Sequence, residues 1–188
     1  MRRLLALPLL LLTANMPAAA LAAPFKQTLS LQGVSFAVSA VGDGSTQLLR
    51  VKASKGLKAY PPVGQDLSGR VSGAEVGDLN SDGRPELVVM VRSAGSGSYG
   101  SVEAWSAGRR RLEPISLVEL SGKLAEGYMG HDQFALVGTT LVRRFPIYRP
   151  ADSNANASGG TREIVYALVP GEAGWLLKPI RSTDLPPS

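Results

Sequence analysis

Between the apolar runs Leu87-Val-Val-Met-Val91 and Ser101-Val-Glu-Ala-Trp105 the chain reads Arg92-Ser-Ala-Gly-Ser-Gly-Ser-Tyr-Gly100. Three glycines let backbone come close to a partner, three serines supply hydroxyl donors, and Tyr99 adds one ring with a phenolic hydroxyl. Two catalytic motifs fit parts of this stretch and fail on context. Gly95-Ser-Gly97-Ser-Tyr-Gly100 satisfies G-x-G-x-x-G, but a dinucleotide site needs a helix opening on the last glycine. Here Val102 and Ala104 alternate with Glu103 and Trp105, which predicts a strand. The nucleophile elbow G-x-S-x-G fails too, because Ala94 stands two places before Ser96 and Ser96 two places before Ser98. What remains is a projecting tip suited to binding.

Other residues carry weaker chemistry. His131 is the only histidine and Asp132 follows it. Adjacent strand residues point to opposite faces, so Asp132 is poorly placed to orient His131 for a Ser/His/Asp triad, and a structural role near the Gly127-Tyr128-Met129-Gly130 turn fits better. One histidine and no cysteine exclude a typical zinc site. Asp78-Leu-Asn80-Ser-Asp82-Gly83-Arg-Pro-Glu86 offers oxygens at positions one, three, five and nine, with glycine at six, a pattern that suits calcium. Val89 at position twelve and the lack of flanking helical patterns exclude an EF-hand. Two readings stand: a calcium loop with Asp78, Asn80, Asp82 and Glu86 as ligands, like single copies of the integrin-type loops, or an Asx-rich turn without an ion. No pair of carboxylates stands out for glycoside hydrolysis; Glu113, Glu119 and Glu126 read as solvated surface.

These residues must be held by strands. Apolar runs are short, rich in Val, Leu and Tyr, and bounded by Gly, Pro, Ser or Asn. Strands are predicted over Phe25 to Leu31, Val34 to Val41, Gln47 to Ala53, Glu86 to Arg92, Ser101 to Ser106, Ile115 to Leu120, Gln133 to Val137, Thr140 to Phe145, Glu163 to Val169 and Trp175 to Pro179. No window keeps an apolar stripe at helical spacing for three turns, and Gly122 to Gly127 has room for one helical turn. The class is all-β, an antiparallel β-sandwich or flattened barrel of short strands. The polar stretch Pro150 to Gly160 reads as an exposed hairpin loop. Its Asn156-Ala157-Ser158 acceptor pattern carries no weight beside a bacterial-looking export signal.

Met1-Arg2-Arg3, the apolar run Leu4 to Leu12 and the small-residue patch Ala18 to Ala23 form a secretory signal pattern. Cleavage after Ala22 makes residues 1–22 the signal peptide and 23–188 one exported β domain. No later apolar run is long enough to insert in a membrane. Without cysteine, such a domain relies on its core rather than on disulfides. Removing Arg2 and Arg3 leaves 18 basic residues against 15 acidic ones, and the clusters Arg109 to Arg111 and Arg143-Arg144 are too sparse for a nucleic-acid partner.

Several spaced strings resemble a known family. Val91-Arg-Ser-Ala-Gly-Ser-Gly-Ser-Tyr-Gly100, Gly127-Tyr-Met-Gly-His-Asp132, Leu141-Val-Arg-Arg-Phe-Pro-Ile-Tyr148 and Gly171-Glu-Ala-Gly-Trp175 are similar, in order, to the periplasmic inhibitors of invertebrate-type lysozyme (PliI). The resemblance implies a periplasmic β-sandwich, a homodimer without enzymatic activity or cofactor, which inserts a loop into the lysozyme cleft. It places the loop motif on Ser96, Gly97, Ser98 and Tyr99, with Arg111 as the match to a basic residue beyond the next strand. The chemistry agrees: a serine hydroxyl donates to a lysozyme carboxylate, and a tyrosine ring fills a sugar subsite. Two rivals are an exported calcium-dependent carbohydrate- or surface-binding module and a hydrolase, the latter disfavoured by the lack of a positioned nucleophile and base.

Overall fold

Alternation of apolar and small polar residues folds the first third of the chain into hairpins. Strands β1 (Phe25–Leu31), β2 (Val34–Gly42), β3 (Thr46–Lys55), β4 (Lys58–Ala59) and β5 (Val63–Ser68) form a five-stranded sheet in the order β1-β2-β3-β4, with β5 also on β3. In the computed structural model, which describes residues 24–172 and 174–187, Val34, Phe36, Val38 and Ala40 of β2 are buried while Ala37 and Val41 face out. The signal peptide expected over residues 1–22 lies outside the described residues.

The second sheet has eight strands: β6 (Arg70–Gly77), β7 (Glu86–Arg92), β8 (Gly100–Ala107), β9 (Leu112–Leu117), β10 (Gln133–Val137), β11 (Thr140–Pro146), β12 (Thr161–Gly171) and β13 (Gly174–Leu185). Their order is β10-β11-β12-β13-β9-β8-β7-β6. The sheet curls until its edges approach in a nearly closed barrel, and Leu136 N–H of β10 donates to the Glu75 carboxylate of β6 at 2.7 Å. A side chain thus bridges the seam where no strand ladder forms. A 3₁₀ turn, Gly122–Ala125, falls where one helical turn was expected. No helix among the described residues is long and apolar enough to cross a membrane.

The all-β class holds, with one correction to its antiparallel character. β13 lies antiparallel to β12 but parallel to β9, pairing Trp175 with Ile115 and Leu177 with Leu117. Curling of the sheet brings this last long strand into the gap beside β9. Three strands escaped the sequence pattern: β4 is two residues long, while β5 and β6 carry few large apolar side chains. β9 begins three residues earlier than expected, across Pro114. That proline is tolerated because β13 pairs only with Ile115 to Leu117, which leaves one edge of β9 free at Pro114.

Two cores meet at β7. Leu87, Val89 and Val91 pack with Phe36, Val38, Leu49 and Trp105 between the sheets. Val88 and Met90 pack inside the barrel with Leu141, Phe145, Ile164 and Tyr166. The uninterrupted apolar run of β7 is the sign of a strand covered on both faces. Burying its five large side chains is worth about 8–15 kcal/mol before opposing terms. β7, buried on both faces, is the strand shared by the two cores.

Candidate functional site

The glycine-serine loop leaves this doubly buried strand and re-enters at β8. Ser93 N–H donates to the Tyr99 carbonyl at 2.8 Å and closes its neck. At the tip, Ser98 N–H donates to the Gly95 carbonyl at 3.1 Å, with Gly95 at φ +131° and Ser98 at φ +43°. Ser96 is exposed, Tyr99 is 50 % exposed, and Gly97 and Ser98 are half-buried. A serine in the left-handed region is strained and persists only where its surroundings dictate the backbone. The loop therefore presents the Ser96 hydroxyl and the Tyr99 ring in one fixed shape.

The second segment, Gly127 to Asp132, dictates that shape. His131 N–H donates to the Gly97 carbonyl at 2.8 Å, and His131 is itself left-handed at φ +61°. Gly130, at φ +93°, packs so tightly on the Gly97 carbonyl that a methyl group there would collide with it. The Tyr99 ring stands edge-on to Tyr128, with centroids 5.6 Å apart, and Tyr128 stands edge-on to Phe145 at 4.8 Å. His131 supports the loop through its backbone; its buried Nε2 has no hydrogen-bond partner among the described residues.

Beneath the two loops lies a closed polar triangle. The Asp132 carboxylate accepts from Gly100 N–H at 2.7 Å, from the Tyr128 hydroxyl at 2.6 Å and from Arg143 Nε at 2.7 Å. Arg143 Nη2 donates in turn to the Tyr128 oxygen at 2.8 Å, and its guanidinium lies over the Tyr128 ring, 4.9 Å from the centroid. The Asp132 side chain is wholly enclosed and that of Arg143 nearly so. Burial opposes the Arg143 charge, but the adjoining Asp132 carboxylate outweighs it and holds the guanidinium pKa above its ordinary value. Burial, and then the hydrogen bond to Asp132, push the Tyr128 phenol well up. A charged pair tied to Gly100 thus clamps the loop at the start of β8.

Sequence reasoning missed this clamp, although a signal was present. Arg143 has the same strand parity as Leu141 and Phe145, both buried, while Arg144 turns out to meet Glu163. An arginine at an inward position calls for a buried carboxylate, and Asp132 provides it.

The structure does not bring Arg111 to the loop. It is exposed in the turn before β9, at the far end of the eight-residue strand β8, roughly 25 Å from Gly100. β8 runs straight away from the loop, so a residue beyond it reaches the opposite end of the barrel. The Asp78 loop is built as an Asx turn. Asp78 accepts from Asp82 and Gly83 N–H, Asn80 also from Asp82 N–H, and Asp82 from Arg84 N–H. Glu86 turns inward, accepting from Leu79 N–H at 2.7 Å and the Ser106 hydroxyl at 2.8 Å, and burial pushes its carboxyl up to about 6. Among the described residues no group of three or more His, Cys, Asp or Glu is gathered where it could hold a metal ion.

The family model described as the periplasmic lysozyme inhibitor of I-type lysozyme, PliI, matches residues 63–126, about a third of the chain. The matched stretch runs from β5 to the 3₁₀ turn and contains the whole Ser93 to Tyr99 loop. The similar strings at Gly127 to Asp132, Leu141 to Tyr148 and Gly171 to Trp175 lie beyond it. No curated protein and no solved structure matches the chain.

Proposed function

We propose that this protein is a periplasmic inhibitor of invertebrate-type lysozyme that plugs the enzyme's cleft with the loop Ser96-Gly97-Ser98-Tyr99. The observation that carries the reading is the loop itself: it lies inside the stretch similar to PliI, and it projects an exposed serine and a half-exposed tyrosine from a strand buried on both faces. A plug must be ordered before it binds, because freezing a mobile loop on association subtracts from affinity. Here the loop neck, the tip turn and the contacts to Gly130 and His131 provide that order. The Ser96 hydroxyl donates to a catalytic carboxylate, and the Tyr99 ring occupies a sugar subsite with its hydroxyl free to pair. The protein acts by occupancy and turns nothing over. Export by the residue 1–22 segment and pairing into a homodimer belong to the same proposal.

The test is inhibition of purified invertebrate-, chicken- and goose-type lysozymes by the mature protein. Ser96→Ala and Tyr99→Ala should each weaken inhibition of the invertebrate-type enzyme by about tenfold, and the double change by more. Full potency in the double variant would sink the plug.

A further inference from the structure

Resting on the inhibitor reading, the geometry points to Met129 as a second contact residue, an apolar side chain that enters the lysozyme cleft beside Tyr99. Both chain neighbours of Met129 lie near the Tyr99 ring. Tyr128 meets it edge-on at 5.6 Å, and a methyl on Gly130 would lie 3.4 Å from Tyr99 Cδ1. The Met129 carbonyl lies against Gly97, 3.3 Å from where a Cβ would stand. The Met129 backbone is therefore set alongside the tip, and the residue is 37 % exposed, in a segment otherwise committed to packing.

The two segments are also joined directly. Gly130 packs on the Gly97 carbonyl with no space between them, and the His131 N–H bonds the same oxygen. The same contacts that hold the Ser96 to Tyr99 tip therefore hold the Met129 backbone beside it. Other exposed apolar side chains, such as Leu57 in the β3–β4 turn and Val137 at the end of β10, sit on elements that make no such contact with the tip. A sugar-binding cleft offers apolar and aromatic walls between its polar groups. An unbranched thioether suits such walls, adapting its shape and favouring contact of sulfur with aromatic rings. The surface is thus a two-loop ridge, with polar reach from Ser96 and apolar contact from Tyr99 and Met129.

The experiment measures inhibition of an invertebrate-type lysozyme by the mature protein and by Met129→Glu, Met129→Ala, Met129→Leu, Val137→Glu and Tyr99→Ala, with a thermal melt of each. Met129→Glu should lose about tenfold or more in potency and Met129→Ala about threefold, while Met129→Leu stays close to the parent. Val137→Glu should inhibit normally, and all these melts should stay close to the parent. Parental potency in Met129→Glu alongside a weakened Tyr99→Ala would overturn the Met129 contact and leave the plug standing. Equal losses in Met129→Glu and Val137→Glu would also overturn it, as an effect of charge alone. Parental potency in Tyr99→Ala as well would remove the plug itself.

Discussion

Replacing Asp132 with asparagine changes almost no volume and removes one charge from the clamp beneath the loop. The carboxylate takes three donors: Gly100 N–H and the Tyr128 hydroxyl on one oxygen, Arg143 Nε on the other. An amide has one acceptor oxygen, so either Gly100 and Tyr128 or Arg143 is left facing an N–H. Arg143, only 5 % exposed, then keeps a buried charge with no counter-ion. Breaking one side of such a pair costs about 3–5 kcal/mol. Against a domain stability of about 5–15 kcal/mol that is a large fraction. It should lower the melting temperature by about 6–20 °C for a domain of this size. Urea denaturation followed by the fluorescence of Trp105 and Trp175 gives the free-energy change. Inhibition measured well below the melt reports the loop, and it should weaken although Ser96 and Tyr99 are untouched. Asp132→Asn/Arg143→Met, which removes both charges, should recover part of the stability. A single variant within about 1 kcal/mol of the parent would refute the clamp, since no buried unpaired arginine is that cheap.

Two further perturbations address the loop contact and the buried acid. Gly130→Ala adds a methyl that runs into the Gly97 carbonyl at a backbone φ of +93°. It should cost about 1–3 kcal/mol and weaken inhibition, whereas a variant as stable and potent as the parent would mean the loops are not fused there. Glu86 is held near 6 in the folded chain against an ordinary 4.5, so the folded state carries the extra proton between those values. Stability should therefore fall as pH rises from about 4.5 to 6, by at most about 2 kcal/mol, and stay lower above. Denaturation of parent and Glu86→Gln from pH 4 to 7 reads this directly, and a difference between them that does not change with pH would contradict it.

Legibility differed sharply along the chain. Strand parity in Val34 to Val41 and the unbroken apolar run of β7 were readable because each is a local pattern with a definite period. β5 and β6 were not, because Val63-Gly-Gln-Asp-Leu-Ser and Arg70-Val-Ser-Gly-Ala-Glu pair through backbone and carry little apolar contrast. The loop was legible as an exposed connection between two strands from its composition, the nucleotide motif failed because a strand follows it, and the nucleophile motif failed on spacing. Where Arg111 lies relative to the loop was not legible, because nearness along the chain is lost once a full strand intervenes.

By itself the sequence determined the all-β class and the glycine-serine-tyrosine composition of the loop, because composition and alternation act over a few residues. Only the tertiary structure decided how that tip is held. Gly100 and Asp132 are 32 residues apart and Asp132 and Arg143 are 11 apart. Whether they meet depends on the β10–β11 register and on the curl that brings the segment before β10 against the loop after β7. Once the barrel curls, a buried charge must find its partner, and that requirement ties the start of β8 to the segment before β10.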